Sequence, residues 1–140
     1  MTARRFLDTN ILLYSISSAA DEVAKRNRAI QLLDRADCVL SAQVLQEFYV
    51  QATRATRSDP LSPEIAASLT RAWSRFPVQE NGVAVFQAAL ELKRTTRFAF
   101  WDCTIIAAAQ ASGCRELHSE DMSHGRKIDG LRIVNPFRGL

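Results

Sequence analysis

The sequence changes character abruptly at Asp8-Thr9-Asn10. Phe6 and Leu7 close a short apolar run, three polar residues follow, and apolar residues resume at helical density from Ile11 to Leu13. The pattern predicts a strand that turns directly into a helix, with a carboxylate at the turn. In open α/β sheets, ligands and chemistry occupy the crevice beyond the carboxyl ends of the strands, a favoured place for a functional acid such as Asp8. Taken alone, the tripeptide reads better as a helix N-cap, since Asp, Thr and Asn all accept hydrogen bonds from first-turn amides. A functional reading therefore needs further carboxylates to arrive at the same place.

The rest of the chain alternates strand and helix. Short helices are expected at Ile11 to Ile16 and from Asp21-Glu22, then a buried strand at Cys38-Val39-Leu40 that ends on the capping residue Ser41. From Ala42 to about Thr56 the spacing of Val44, Leu45, Phe48, Tyr49 and Ala52 gives one apolar stripe, flanked by Glu47. Ser62-Pro63-Glu64 starts a helix carrying Ile65, Leu69, Trp73 and Phe76, and Pro77 stops it. Val78-Gln79 is a minimal strand, and Asn81-Gly82 open a helix bearing Val83, Phe86, Ala89 and Leu90 with a basic end at Lys93-Arg94. The small and apolar residues from Cys103 to Ser112 predict a buried helix, with Asp102 in its first turn and Gly113 as its stop. Strands follow at Arg115 to His118 and Leu131 to Val134. This alternation predicts an α/β fold, a three-layer α/β/α sandwich around a short parallel sheet.

Length supports one domain over residues 1–140, since domains of about 100–150 residues are the commonest. No apolar run approaches the roughly 18 residues of a membrane span, and Met1-Thr2-Ala3 leads into the first strand without the pattern of a signal peptide. A cytoplasmic protein without membrane contact is expected. Cys38, Cys103 and Cys114 are odd in number and lie in apolar surroundings without CxxC spacing, which predicts buried thiols. Arg supplies 15 of the 18 basic residues. Its planar fork suits phosphate and carboxylate oxygens, so the excess fits a nucleic acid or an acidic partner.

In this topology Asp8, Glu47, Asp102 and Asp121 fall just past strand ends or in the helix turns that follow them. Singly, three can be caps and Glu47 a solvated helix residue. Together they are harder to explain, because two carboxylates about 5 Å apart repel by roughly 3 kcal/mol at an effective dielectric near 20. A divalent cation converts that repulsion into attraction, and hard oxygen ligands favour Mg²⁺ or Mn²⁺. His118 and His124 have neither HExxH nor zinc-finger spacing, and no nucleophile elbow or phosphate-binding glycine loop is present. Trp73, Trp101, Phe98 and Phe100 read as core aromatics, with only Phe98 and Phe100 kept open as edge residues for base stacking.

The segments Phe6-Leu7-Asp8-Thr9-Asn10-Ile11-Leu12, Ser41 to Phe48, Phe100-Trp101-Asp102 with its alanine-rich helix, and Ser119-Glu120-Asp121-Met122 through His124-Gly125 to Arg132–Phe137 run end to end. In that order they resemble the PIN-domain ribonucleases, in particular the VapC-type toxins of type II toxin-antitoxin pairs. The resemblance implies an acidic site of Asp8, Glu47, Asp102 and Asp121, with Asp8 and Asp102 as the main Mg²⁺ ligands. Asn10, Ser119 and also Thr9 would support it by hydrogen bonding, and Glu120 would point elsewhere. It further implies metal-dependent hydrolysis of an RNA phosphodiester bond and an antitoxin protein as partner, and together with an apolar exterior expected of the helix bearing Ile65, Leu69, Trp73 and Phe76 it implies a homodimer. A receiver-type signalling module would need an Asp after a central strand, where Cys38–Ser41 ends without one, and a Lys after the last strand, where Asn135 stands. A haloacid-dehalogenase-type phosphatase would need an acid at position 10, which is Asn. A PIN-like module that binds RNA or a partner without turnover remains open.

Overall fold

Residues 4–140 are described by a computed structural model; the expectation for Met1 to Ala3 lies outside the described residues. The elements are β1 (Arg5–Leu7), α1 (Thr9–Ser15), a 3-10 turn (Ala20–Glu22), α2 (Val23–Leu33), β2 (Cys38–Ser41), α3 (Ala42–Thr53), α4 (Pro63–Trp73), β3 (Val78–Gln79), α5 (Val83–Thr95), α6 (Phe100–Ala111), β4 (Glu116–His118), β5 (Lys127–Ile128) and β6 (Leu131–Val134). The six strands form one sheet in the order β3-β2-β1-β4-β6-β5. From β3 to β6 all pairs are parallel, and β5 joins β6 antiparallel. The chain runs outward from β1 through β2 to β3, then returns to place β4 on the other side of β1. The β1–β4 junction is therefore the point where strand order reverses, the place at which open α/β sheets leave a crevice.

Local chemistry fixes where the helices start. Asp8, Ser41 and Ser62 each accept a first-turn backbone N–H as N-caps of α1, α3 and α4, and Pro63 occupies the first turn of α4. Gly113 ends α6 by adopting φ +72°, a left-handed conformation that costs glycine little. Helices α1 and α2 pack together, α1 also meets α3, and α3 meets α4, while α5 packs on α6 and α6 lies against β2, β3 and β4. Together with the sheet these make the three layers.

The central strands are buried on both faces. Phe6, Leu7, Leu40, Leu117 and Ile133 have no exposed surface, as parallel strands covered on both sides require. Every residue of α6 from Cys103 to Ala109 is buried, as its composition predicts. The three cysteines are free and buried, and burial raises the Cys38 and Cys114 thiols to about 11, so they are inert at neutral pH.

Several details differ from the sequence reading. Helix α3 stops at Thr53 rather than near Thr56, because Arg54 turns extended and Leu61 N–H takes up the Ala52 carbonyl. Helix α6 begins at Phe100, so Phe100 and Trp101 belong to its first turn. On α5 the buried face is Val85, Ala89 and Leu92, while Val83, Phe86 and Leu90 are exposed; both faces are apolar, so periodicity alone could not choose between them. Trp73 and Phe76 of the expected α4 stripe lie in the core, whereas Ile65 is exposed. Strand β5 was not expected. Its turn, Asp129 at φ 47° and Gly130 at φ +86°, has the two positive φ values of the tight hairpin that an Asp-Gly pair favours.

Phe48 is fully buried and meets Trp73 edge-to-face at 4.7 Å, joining α3 to α4. Phe48→Ala should lower unfolding free energy by about 3–5 kcal/mol, and Ile65→Ala on the exposed side of α4 should stay within about 0.5 kcal/mol. Urea unfolding midpoints at constant m-value would check this; equal losses would contradict the assigned packing.

Candidate functional site

Asp8 stands at the end of the central strand, 8% exposed. Both of its oxygens have partners. Oδ1 accepts the Thr9 N–H at 2.8 Å as the cap of α1, and Oδ2 accepts the Ser119 hydroxyl at 2.8 Å. The backbone holds the same junction, since Asp8 N–H donates to the His118 carbonyl at 3.0 Å. Cap and functional acid are thus not alternatives here. One oxygen caps the helix while the other joins the loop after β4.

A second set of contacts extends across that loop. Asn10 Nδ2 donates to Asp121 Oδ2 at 3.1 Å and lies 3.3 Å from Ser119 Oγ, and the Asp121 N–H donates to Ser119 Oγ at 3.2 Å. Asn10 Oδ1 meets the Glu120 N–H at 3.4 Å. Asn10 and Ser119 therefore tie the turn carrying Asp121 to the start of α1. Glu120 turns away, to Tyr14 and Lys25.

Glu47 comes from α3, the helix after β2, and both of its oxygens are held. Thr9 Oγ1 donates to Oε2 at 2.8 Å and Gln43 Nε2 donates to Oε1 at 2.9 Å. Gln43, one turn earlier on the same helix and 5% exposed, accepts at its own oxygen from Thr104 of α6 at 2.8 Å and from Asn81 at 3.1 Å. One buried amide thus links α3, α6 and the loop before α5. Gln43, Asn81 and Thr104 went unnoticed in the sequence, because an uncharged side chain at helical spacing carries no signal until its partners are known.

Asp102 lies in the first turn of α6, which follows α5 with no strand between them. It reaches the cluster because α6 packs across β2 and β4, not because it ends a strand. Its carboxylate is half-buried and accepts no hydrogen bond among the described residues. Burial raises its pKa, followed by the charges of Asp121 and Glu47. Asp8 is pushed from 3.8 to about 6, mainly by burial, with smaller upward contributions from Glu47 and Asp121 that its two hydrogen bonds oppose. Asp8 and Asp102 are thus each close enough to feel the charges of Glu47 and Asp121. His118 is not part of the cluster: its Nε2 faces Glu116 at 2.9 Å, and burial lowers its pKa.

Among the described residues, no three acidic, histidine or cysteine side chains stand close enough to form a closed metal cage. Mg²⁺ does not need one, because it usually keeps several waters and takes one or two carboxylates. The donor set is all oxygen, and burial with like charge raises the pKa of two of its members, Asp8 and Asp102, an effect that a cation would oppose. Asp8 and Asp102 fit that chemistry, with Asp102 the carboxylate left free of protein hydrogen bonds.

Because the folded-state pKa of Asp8 lies above its unfolded value, Asp8 favours folding fully below about pH 4, and this contribution is lost as pH rises through 6. A shift from 3.8 to about 6 corresponds to at most roughly 3 kcal/mol. Asp8→Asn should therefore raise chelator-treated stability at pH 7 by about 1–3 kcal/mol and leave it little changed at pH 4. Urea unfolding at both pH values would test this; an unchanged difference between pH 4 and pH 7 would show that Asp8 is not held against ionisation.

The sequence matches the PIN domain family over residues 5–127. Comparison with curated proteins gives no significant match. Among solved structures, the fold is similar to a toxin-antitoxin complex from Klebsiella pneumoniae at TM-score 0.68 and 21% identity, covering 95% of this chain and 98% of that one. It is also similar to VapC20 of Mycobacterium tuberculosis, described as a sarcin-ricin-loop-cleaving toxin, at TM-score 0.63 and 19% identity, covering 81% and 86% of the two chains. A third similar structure is a DNA-bound VapBC from Salmonella typhimurium, at TM-score 0.62, 22% identity and coverage of 94% and 97%. At these identities the likeness establishes the shared fold. With the family match spanning most of its length, the chain belongs to the PIN domain family.

Proposed function

We propose that this protein is a Mg²⁺- or Mn²⁺-dependent endoribonuclease that hydrolyses RNA phosphodiester bonds and serves as the toxin of a toxin-antitoxin pair. The observation that supports the reading is that Asp8 and Asp102 each feel the charges of Glu47 and Asp121, with Asp8 buried and raised to about 6. Charge is gathered there at a cost to folding, which a structural role alone does not call for. Asp8 and Asp102 are the proposed metal ligands. When bound, such a cation supplies Lewis acidity toward a phosphate and lowers the pKa of water.

The chain's own groups do the rest. Glu47, fixed by Thr9 and Gln43, has a set direction and keeps lone pairs free to orient an attacking water. Asp121 is solvent-exposed, so a proton accepted there passes readily to bulk water. Asn10 and Ser119 keep Asp121 beside Asp8. Arg side chains around the crevice are proposed to hold the RNA backbone.

The proposed partner is a cognate antitoxin, supported by the likeness to the Klebsiella and Salmonella complexes. A homodimer is supported by the exposed apolar strip Val83, Phe86 and Leu90 on α5. No helix among the described residues is long and apolar enough to cross a membrane, in keeping with a proposed cytoplasmic location.

Attack by water does not use the ribose 2′-hydroxyl, so the products should carry 5′-phosphate and 3′-hydroxyl ends. Chelation should abolish cleavage, Mg²⁺ or Mn²⁺ should restore it, and Asp102→Asn should lose at least about 10²-fold in rate. End-group analysis on a folded tRNA and an unstructured RNA, using antitoxin-free protein, would check each point. Cleavage that persists in chelator, or 2′,3′-cyclic phosphate ends, would overturn the mechanism. RNA binding without cleavage of any RNA would make the protein a binding module.

A further inference from the structure

Trp101 is the residue immediately before Asp102, and it is 64% exposed. An indole adds most to stability when buried, and this one sits in the first turn of a helix that is buried throughout from Cys103 to Ala109. Its ring meets Phe100 edge-on at 5.3 Å, and Phe100 in turn meets Phe86 at 6.1 Å, so the exposed ring is braced from behind. In front of it lies a cavity of about 380 Å³ lined by Gln46, Glu47, Val50, Gln51, Arg54 and Trp101. That volume is within the range of about 300–1,000 Å³ typical of small-ligand sites. The lining combines an aromatic ring, two amides, a guanidinium and Glu47 of the acidic cluster. Arg54 forms no ion pair among the described residues and stands at the end of α3, where the chain turns extended.

We propose that this cavity is a nucleotide subsite of single-stranded RNA beside the acidic site, with Trp101 stacking on one base and Arg54 holding a neighbouring phosphate. The inference rests on the reading of the protein as a ribonuclease and adds where its substrate lies. Three features favour RNA over a protein surface here. Glu47 lines the cavity and also belongs to the proposed acidic site, so the two adjoin. Beside Glu47, the cavity's polar groups are two amides and one guanidinium, the donors and acceptors that meet base edges and phosphates. An exposed ring beside a cation is also the pairing used to hold single strands, because every base has a π-face. Trp101 is thus a positioning residue, acting on where the RNA sits and not on bond cleavage.

The test uses the full chain in chelator, where no cleavage is expected and binding alone is read. Trp73→Phe leaves Trp101 as the sole tryptophan, and short unstructured oligoribonucleotides are the probe. Saturable quenching of Trp101 fluorescence is expected. Trp101→Ala should weaken binding on the order of 10-fold, Trp101→Phe should restore much of it, and an oligonucleotide with an abasic site at the stacked position should lose a similar factor. Arg54→Gln should lower the slope of log affinity against log salt by about 0.7. If quenching and these losses are seen but no RNA is ever cleaved with Mg²⁺, the subsite stands and the nuclease reading falls. Unchanged affinity in both Trp101→Ala and Arg54→Gln would overturn the subsite even if cleavage is metal-dependent. Loss of self-association in Trp101→Ala, with RNA affinity intact, would likewise overturn it and make the surface a protein contact.

Discussion

A carboxylate at 8% exposure, in the most buried part of a parallel sheet, has to be held by specific hydrogen bonds or it will stay protonated. Asp8 has two, and each does a separate structural task. The Thr9 amide bond starts α1, and the Ser119 bond fastens the loop after β4 to the end of β1. Even so the acid remains well above its ordinary range, because burial outweighs both bonds and Glu47 and Asp121 add to it. The position of the loop bearing Asp121, the entry of α1 and the charge state of the crevice all depend on this one group.

The order of the strands makes such an arrangement possible. With β1 in the middle and the chain reversing direction beside it, the end of β1 and the end of β4 are neighbours although they are far apart in sequence. Glu47 is brought in by α3, which follows β2 on the other side of β1. Asp102 arrives on a helix that follows another helix, and its placement depends on the packing of α6 across the sheet. Gln43 ties these two routes together by holding Glu47 with its amide nitrogen and Thr104 of α6 with its oxygen. Fully partnered buried networks of this kind fix side chains in place, whereas a single missing partner leaves a costly orphan. That is a physical reason for Glu47 to keep one direction.

Much of this was legible in the residues, for reasons that can be named. Strands buried on both faces are short apolar runs, caps are Ser or Asp before a periodic stretch, and α6 is small and apolar all round, so β2, α3, α4 and α6 could be read directly. Asp8 and Asp121 could be placed at one edge because each follows a strand, whereas Asp102 follows a helix and no strand rule places it. What could not be read depended on tertiary choice. Helix α5 has two apolar faces, and only packing on α6 decides that Val85, Ala89 and Leu92 go inside. Trp101 reads as core until α6 is seen to begin at Phe100, which turns the indole outward, while Phe98, kept open as an edge residue, is buried. Strand β5 has two residues, too short for periodicity, although its Asp129-Gly130 turn was a usable signal.

The central claim is that the crevice holds a divalent cation through ionised carboxylates, of which Asp8 is raised to about 6 without it. Calorimetric titration of Mn²⁺ near pH 6, in two buffers of different ionisation enthalpy, measures cation binding and proton release together. The account predicts saturable binding with release of a fraction of a proton per chain, falling toward zero as pH rises above the Asp8 value of about 6. Absence of saturable binding at millimolar Mn²⁺, or binding with no proton released at pH 6, would contradict it.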